Sequence, residues 1–247
     1  MKIIADIHTH TIASGHAYST LKENLGQAAL AGLDFLGVSD HTPGMPGTTC
    51  EGYFRHLKIV GGEIDGVKIL KGAETNITDA GGHIDLAYEI TERLDYIIAS
   101  LHDMVVANMG ITANTQAVIR AMADPRVRVI GHPDDDFFPL DYRVLAAAAS
   151  VTRTALELNN SSLSPLSSRS GGVGNARRML EECARAGARV MVGSDSHIWY
   201  SVGDFGYALA LLEECGFPQE LVINADRARF EEYMGLTTIS EQVALAV

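Results

Sequence analysis

Short runs of apolar, mostly β-branched residues recur along the chain at 2–7, 35–39, 67–72, 96–100, 127–131, 154–158 and 189–193. Their hydrophobicity is nearly continuous rather than alternating, as expected of strands buried on both faces. Between most of them lie stretches with helical spacing at 21–31, 113–122, 143–149 and 175–186, and glycines such as Gly32 and Gly187 close them. Strand followed by helix, repeated about seven times, is a parallel α/β plan. Periodicity alone leaves open whether the sheet closes into a barrel or stays open and doubly wound.

The 247 residues are 47% hydrophobic and 20% charged, which supplies a sizeable core and excludes a disordered chain. No Pro- or Ser-rich linker divides the sequence and no repeat of shared identities is visible, so one domain over 1–247 is expected. The Ser- and Gly-rich stretch 161–174 reads as a long loop of the kind that carries function. No apolar run approaches the roughly 18 residues of a membrane span. The opening MKIIADIHTH meets Asp6 and His8 before a signal-peptide core could form, so a cytoplasmic protein is expected. Cys50, Cys183 and Cys215 are odd in number with no paired spacing, and Cys183 and Cys215 read as helix-core residues.

Histidine placement carries the chemistry. His8, His10 and His16 follow the first run, His41 the second, His102 the fourth, His132 the fifth and His197 the seventh; Glu74 follows the third run and Asp195 shortly precedes His197. The ends of parallel strands are where α/β barrels build their sites, because the following loops converge there around one axis. A lone histidine is more often a satisfied core or surface residue, and His56 and His83 are read that way. The set of seven resists that reading and favours the barrel. Imidazoles with one or two carboxylates form a ligand set suited to zinc, manganese, iron or cobalt. Nine ligands exceed the needs of one ion, His8 and His10 face one side of an extended strand, and Glu74 could bridge two ions.

These residues sit in ordered motifs: DIHTHT at 6–11, SGHAYST at 14–20, SDHT at 39–42, GAE at 72–74, SLH at 100–102, GHP at 131–133 and GSDSH at 193–197. Together they resemble the polymerase and histidinol phosphatase (PHP) family nearly end to end. The short stand-alone bacterial phosphatases of the YcdX type are most similar, including ELNNSS at 157–162. The resemblance implies a distorted, TIM-like (β/α)7 barrel with three divalent ions at its mouth, zinc first and manganese or iron as alternatives. It further implies that His8, His10, Glu74 and Asp195 hold one ion, that bridging Glu74 with His102 and His132 holds a second, and that His16, His41 and His197 hold the third. All nine positions carry the expected residue type. One departure follows GHP, where Asp134, Asp135 and Asp136 stand in place of an expected Gly-Asn pair.

A formal net charge of -12 opposes binding to a phosphate backbone, so nucleic acid is disfavoured as a partner. Three divalent ions facing two carboxylate ligands would nevertheless make a local anion trap, suited to a small phosphate monoester. The chain has no GxSxG elbow and no cysteine in a nucleophile context, which favours attack by a metal-bridging hydroxide. Arg169 and Asn159 are candidate substrate contacts, against readings as a solvated arginine and a turn former. Asp40 and Asp103, beside ligands, are candidates for supporting partners or a proton source. Trp199 and Tyr200 could stack on a substrate ring.

The rival readings are an amidohydrolase, for which no bridging lysine stands at a strand end, a phosphodiesterase or nuclease of PHP type, and a metal-binding regulatory module without turnover. Self-association is open, because small barrels commonly oligomerise and no exposed stripe marks an interface.

Overall fold

The computed structural model describes residues 1–236. Its strands are β1 (Ala5–Asp6), β2 (Phe35–Val38), β3 (Glu63–Ile64), β4 (Val67–Asn76), β5 (Tyr96–Ser100), β6 (Val127–Ile130), β7 (Ala155–Asn159) and β8 (Val190–Gly193). They form one sheet in the order β1-β2-β4-β5-β6-β7-β8, parallel at every step, with β3 antiparallel to β4 off this path. The helices are α1 (Leu21–Leu30), α2 (Glu51–His56), α3 (Tyr88–Thr91), α4 (Ile111–Ala121), α5 (Tyr142–Thr152), α6 (Gly172–Ala186), α7 (Gly206–Glu214) and α8 (Arg227–Met234). None of them is long and apolar enough to cross a membrane.

The sheet closes on itself through a mixture of backbone and side-chain bonds. Above β8 the His10 N–H donates to the Ser196 carbonyl at 2.8 Å. Below, the Asn224 amide spans the seam, donating to the carbonyls of Ala5 (2.8 Å) and Val192 (2.7 Å) while its oxygen accepts the Val192 N–H. Asp6 accepts the N–H groups of Ser194 and Gly203. Burial pushes its carboxyl up to about 6, against those hydrogen bonds. The seventh gap in the barrel is therefore bridged in part by side chains, which explains why β1 pairs over only two residues although 2–7 reads as a strand. The Ile4 N–H is taken by the Asn224 carbonyl instead of a strand neighbour.

β4 runs four residues beyond its expected end because it changes partner. Lys68–Lys71 align with β2, and Gly72–Asn76 align with β5. That shift carries Glu74 to the mouth. Side chains alternate between the two faces of each strand. Leu156 and Leu158 pack outward with the helices, while Ala155 joins an inner cluster with Phe35, Leu70, Tyr96, Ile98, Val129 and Met191. Tyr96 lies across the barrel in space left by Gly37 and Gly72, where any Cβ would collide with its ring or hydroxyl. Its OH donates to the Ile7 carbonyl at 2.6 Å, satisfying a phenol that would be costly to bury unpaired. α8 closes the floor with Phe230, Tyr233 and Met234.

The strand-helix alternation read from sequence agrees with the observed order, with ends shifted by a few residues. The reading named neither the hairpin strand β3, nor the short α2 and α3, nor the closing helix α8, and of α7 it offered only Cys215 as a helix residue. The loop expected over 161–174 ends at Gly171, whose φ of 78° precedes the first turn of α6, so Gly172 and Gly174 are helical. Cys183 is buried in α6, whereas Cys215 caps the end of α7 and is only half-buried.

Candidate metal centre

Continuing the inward phase of the strands upward turns the barrel interior from apolar to polar. β4 reads Leu70, Gly72, Glu74, Asn76, and β7 reads Ala155, Glu157, Asn159. Glu74 is 1% exposed, and its two oxygens meet different imidazoles. Oε2 lies 3.4 Å from His8 Nε2, 3.5 Å from His10 Nε2 and 2.8 Å from His41 Nδ1. Oε1 accepts the Ser100 hydroxyl at 2.7 Å and lies 2.9 Å from His132 Nε2 and 3.2 Å from His102 Nε2. Asp195 Oδ1 faces His8 and His10 at 3.5 and 3.3 Å. On the outer side His197 Nε2 is 3.0 Å from His16 Nε2, and the His10 and His197 rings stack with centroids 4.2 Å apart. All nine residues singled out by the motifs converge on one end of the barrel.

The hydrogen-bond network fixes which imidazole nitrogens carry protons. Ser14 gives its hydroxyl proton to Asp40 Oδ1 at 2.7 Å, so its oxygen accepts from His10 Nδ1 at 3.0 Å. The Asn76 amide nitrogen donates to Asp85, leaving its oxygen to accept from His102 Nδ1 at 2.7 Å. His197 Nδ1 donates to the Asp195 carbonyl and His8 Nδ1 to Glu157. Each of these rings therefore turns a bare Nε2 lone pair inward. The Nε2 atoms of His8, His10 and His102, with His41 Nδ1 and Glu74 Oε2, are buried and have no hydrogen-bond partner. A convergence of unpartnered acceptors has the character of a cation site, and the donor set fits borderline divalent ions. Among the described residues, three groups each have ligand atoms within 4.8 Å of one another: His8, His10 and Glu74; His41, Glu74 and His102; and His10, His41 and His197. His41 thus neighbours both Glu74 and the outer histidines, so proximity alone does not reproduce the partition that the resemblance implies.

The electrostatics match. Burial opposes charge on Glu74 and Asp195, yet His41 and His8 beside the first, and His8 and Arg169 beside the second, hold both carboxyls well below their usual range. Burial likewise opposes a charge on His8, but Glu157, Asp195 and Glu74 outweigh it and push its pKa well above normal. His10, His16 and His102 are held below theirs, chiefly by burial. Glu157, Asp195 and Glu74 thus surround His8 with negative charge, which favours a cation beside it. His132 (φ 27°) and Asp195 (φ 53°) adopt left-handed backbone, a local strain found where geometry is held for function.

Above the histidines opens a cavity of about 690 Å³, bounded by His16, His41, His102, Arg169, Asp195 and His197. Arg169 Nη1 donates to Asp195 Oδ2 at 2.8 Å and to Ser162 Oγ at 3.3 Å, so it is an ion-paired side chain at the site rather than a solvated one. Asn159 does not line the cavity. It is fully buried, donating to Asp195 Oδ2 at 3.1 Å and Glu157 Oε2 at 3.0 Å.

Asp40 does not line the cavity. It is buried and accepts from the Thr11 N–H and hydroxyl, Ser14 and Tyr53, so it acts on the site only through the Ser14 link to His10. Asp103 is exposed on the cavity wall. Trp199 and Tyr200 pack against each other outside the cavity, and Tyr207 is the aromatic residue on its wall. Of the acidic run, Asp134 is buried with neither carboxylate oxygen partnered, and burial pushes it up to about 7 against the pull of Arg169. Asp136 accepts from Asn175 at 2.7 Å, and Asp135 caps the N–H of Phe137. His83 is exposed and paired with Asp79, and His56 ends α2; neither lines the cavity.

Residues 6–135 match the PHP domain. A protein of Clostridium acetobutylicum named "Probable phosphatase" is 39% identical over 234 residues, covering 95% of each chain. One of Thermoanaerobacter sp. with the same name is 41% identical over 235 residues, again covering 95% of each. The chain belongs to the PHP family. Among solved structures, histidinol phosphate phosphatase from Lactococcus lactis, crystallised with zinc, L-histidinol and phosphate, superimposes with a TM-score of 0.61 at 18% identity, over 88% of this chain and 95% of that one. That likeness concerns the fold, a nearly closed barrel of seven parallel strands.

The residue that motif reading overlooked is Glu157. A carboxylate in the otherwise apolar run ALELN was the available signal, since an acid on the inward phase of a buried strand requires partners.

Proposed function

We propose that the chain is a metal-dependent phosphatase acting on small phosphate monoesters at a trinuclear centre. The observation that carries the reading is Glu74, whose two oxygens each face a different set of histidines with unpartnered, inward-facing nitrogens. His8, His10, Glu74 and Asp195 would hold one ion, Glu74 with His102 and His132 a second, and His16, His41 and His197 a third, with zinc the best fit and manganese or iron alternatives. When bound, divalent ions supply Lewis acidity toward phosphoryl oxygens and activate water near neutral pH. The names of the relatives that match across nearly the whole chain point to phosphate esters.

The chain's own groups do the rest. The guanidinium of Arg169 has five N–H donors. Asp195 and Ser162 engage one of its nitrogens. The others are free for phosphate oxygens at the cavity wall, where forked donors suit them. Asp103, exposed beside His102 on the cavity wall, is our candidate for contact with the departing alcohol. Ser14, Asn76 and the Asp195 carbonyl keep His10, His102 and His197 in the tautomer that leaves the inward nitrogen bare. The overall negative charge repels long polyanions and leaves room for a single phosphate.

Elemental analysis of protein purified without added metal, combined with p-nitrophenyl phosphate hydrolysis before and after chelation, tests the reading. About three ions per chain with chelator-sensitive turnover is expected. A fully metal-loaded chain inactive on a broad panel of phosphate esters would turn the reading toward a binding module, and preference for diesters toward a nuclease-like enzyme.

A further inference from the structure

Beneath the histidines lies a carboxylate that none of the ligand assignments uses. Glu157 is 1% exposed and accepts three hydrogen bonds. Oε1 takes the proton of His8 Nδ1 at 2.7 Å. Oε2 takes the His132 backbone N–H at 2.7 Å and the Asn159 amide at 3.0 Å. Asn159 also donates to Asp195 Oδ2, so one carboxylate reaches the side chain of His8, the left-handed backbone of His132 and, through one amide, Asp195. The space is reserved for it: a Cβ on Gly193 would collide with Glu157 Oε1.

We infer that Glu157 is the positioning residue of the inner part of the metal centre, setting the tautomer of His8 and the placement of His132 and Asp195. The inference rests on the metal reading above. Its physical basis is the donor and acceptor count. All three neighbours present N–H groups, so the site accepts only a group that is an acceptor at both ends, which a carboxylate is and an amide is not. A glutamine of the same shape has one oxygen and one NH2. With its oxygen toward His132 and Asn159, the NH2 meets His8 Nδ1, and His8 must move its proton to Nε2, losing the inward lone pair. With the amide reversed, the NH2 meets two N–H donors. Either arrangement damages the inner ligands. His16, His41 and His197 share no contact with Glu157 and keep theirs.

The test compares metal retention in wild type, Glu157→Gln and Glu157→Asp, by elemental analysis against a graded chelator series and by the visible spectrum of the cobalt-substituted proteins. Glu157→Gln is expected to weaken the inner ions by about 10–100-fold, the scale of losing a partner behind a metal ligand, with one ion retained at wild-type strength. Glu157→Asp, smaller but an acceptor at both oxygens, is expected to recover more of the inner binding and of the cobalt spectrum than the isosteric glutamine.

A glutamine variant with three ions at wild-type chelator resistance overturns the inference. So does loss of all ions together with reduced thermal stability, or an aspartate variant worse than the glutamine, because packing rather than acceptor count would then be the cause. A wild-type chain that holds no ion overturns the metal reading itself, and this inference with it.

Discussion

The two ends of the barrel are built from the same strands yet handle polar atoms in opposite ways. At the floor, the polar side chains brought inside meet partners among the described residues. Tyr96 OH reaches the Ile7 carbonyl, Tyr233 OH accepts the Ala155 N–H at 2.9 Å and donates to the Arg128 carbonyl, and Asn224 satisfies backbone atoms on both sides of the seam. At the mouth, five buried nitrogen and oxygen atoms of His8, His10, His41, His102 and Glu74 are left facing one another unpartnered. Unsatisfied buried polar atoms cost stability. The floor is therefore the part that holds the fold, and the mouth holds a deficit that a bound cation would remove. Substitutions at the two ends should separate cleanly into effects on stability and effects on binding.

The largest stability effect is expected at the floor. Phe230 is fully buried, its ring 4.8 Å from that of Phe35, and Phe230→Ala should cost about 3–5 kcal/mol. Denaturant melts read the loss, and metal stoichiometry measured well below the melting temperature should be unchanged. A variant that loses ions while still folded would break the separation. At the mouth, Glu74→Gln should lower kcat/KM for p-nitrophenyl phosphate by at least about 10²–10³-fold, the scale of removing one preorganised electrostatic group, and should lower the ion count. A large drop in metal-free stability would instead mean that Glu74 is a structural residue.

Which parts of this contrast were legible in the sequence follows from where the information lies. β5 reads correctly to the residue, because a buried parallel strand flanked by turn residues carries its own signal. The convergence of histidines was legible because every strand end of a closed parallel sheet points to one mouth. The seam was not, since Asn224 bridges Ala5 and Val192 from a segment remote from both in sequence. β3 could have been found: Asp65 (φ 52°) and Gly66 (φ 80°) form the Asp-Gly turn typical of a tight hairpin between Ile64 and Val67. Asn159 was misplaced because a turn-forming residue and a buried amide look alike until the neighbours of its side chain are known.

A smaller effect tests the mouth's electrostatics apart from its metals. Asp134 has an ordinary carboxyl pKa near 3.8 in the unfolded chain and is raised to about 7 by burial. Between those values the folded protein binds a proton that the unfolded chain has released, so this group's contribution to stability is present below about pH 3.8 and is lost as pH rises toward 7. In chelator, Asp134→Asn should therefore be more stable than wild type at pH 8, by at most about 4 kcal/mol, with the advantage shrinking as pH falls toward 5. Paired melts at the two pH values measure it. No advantage at pH 8 would mean that the carboxylate is already paired, with Arg169 the available partner.

The smallest effect returns to the floor. Tyr96→Phe keeps the ring that lies over Gly37 and Gly72 and removes only the bond to the Ile7 carbonyl, for an expected loss of about 0.5–1.5 kcal/mol in denaturant melts. Ile7 immediately precedes His8, so the same variant asks how far the two ends are coupled. If the floor is a rigid platform, the ion count and the cobalt spectrum stay at wild type despite the lost bond. If they change while the fold persists, the Ile7 carbonyl is part of what aims His8, and the division between a satisfied floor and an unsatisfied mouth must be redrawn one residue below the first histidine.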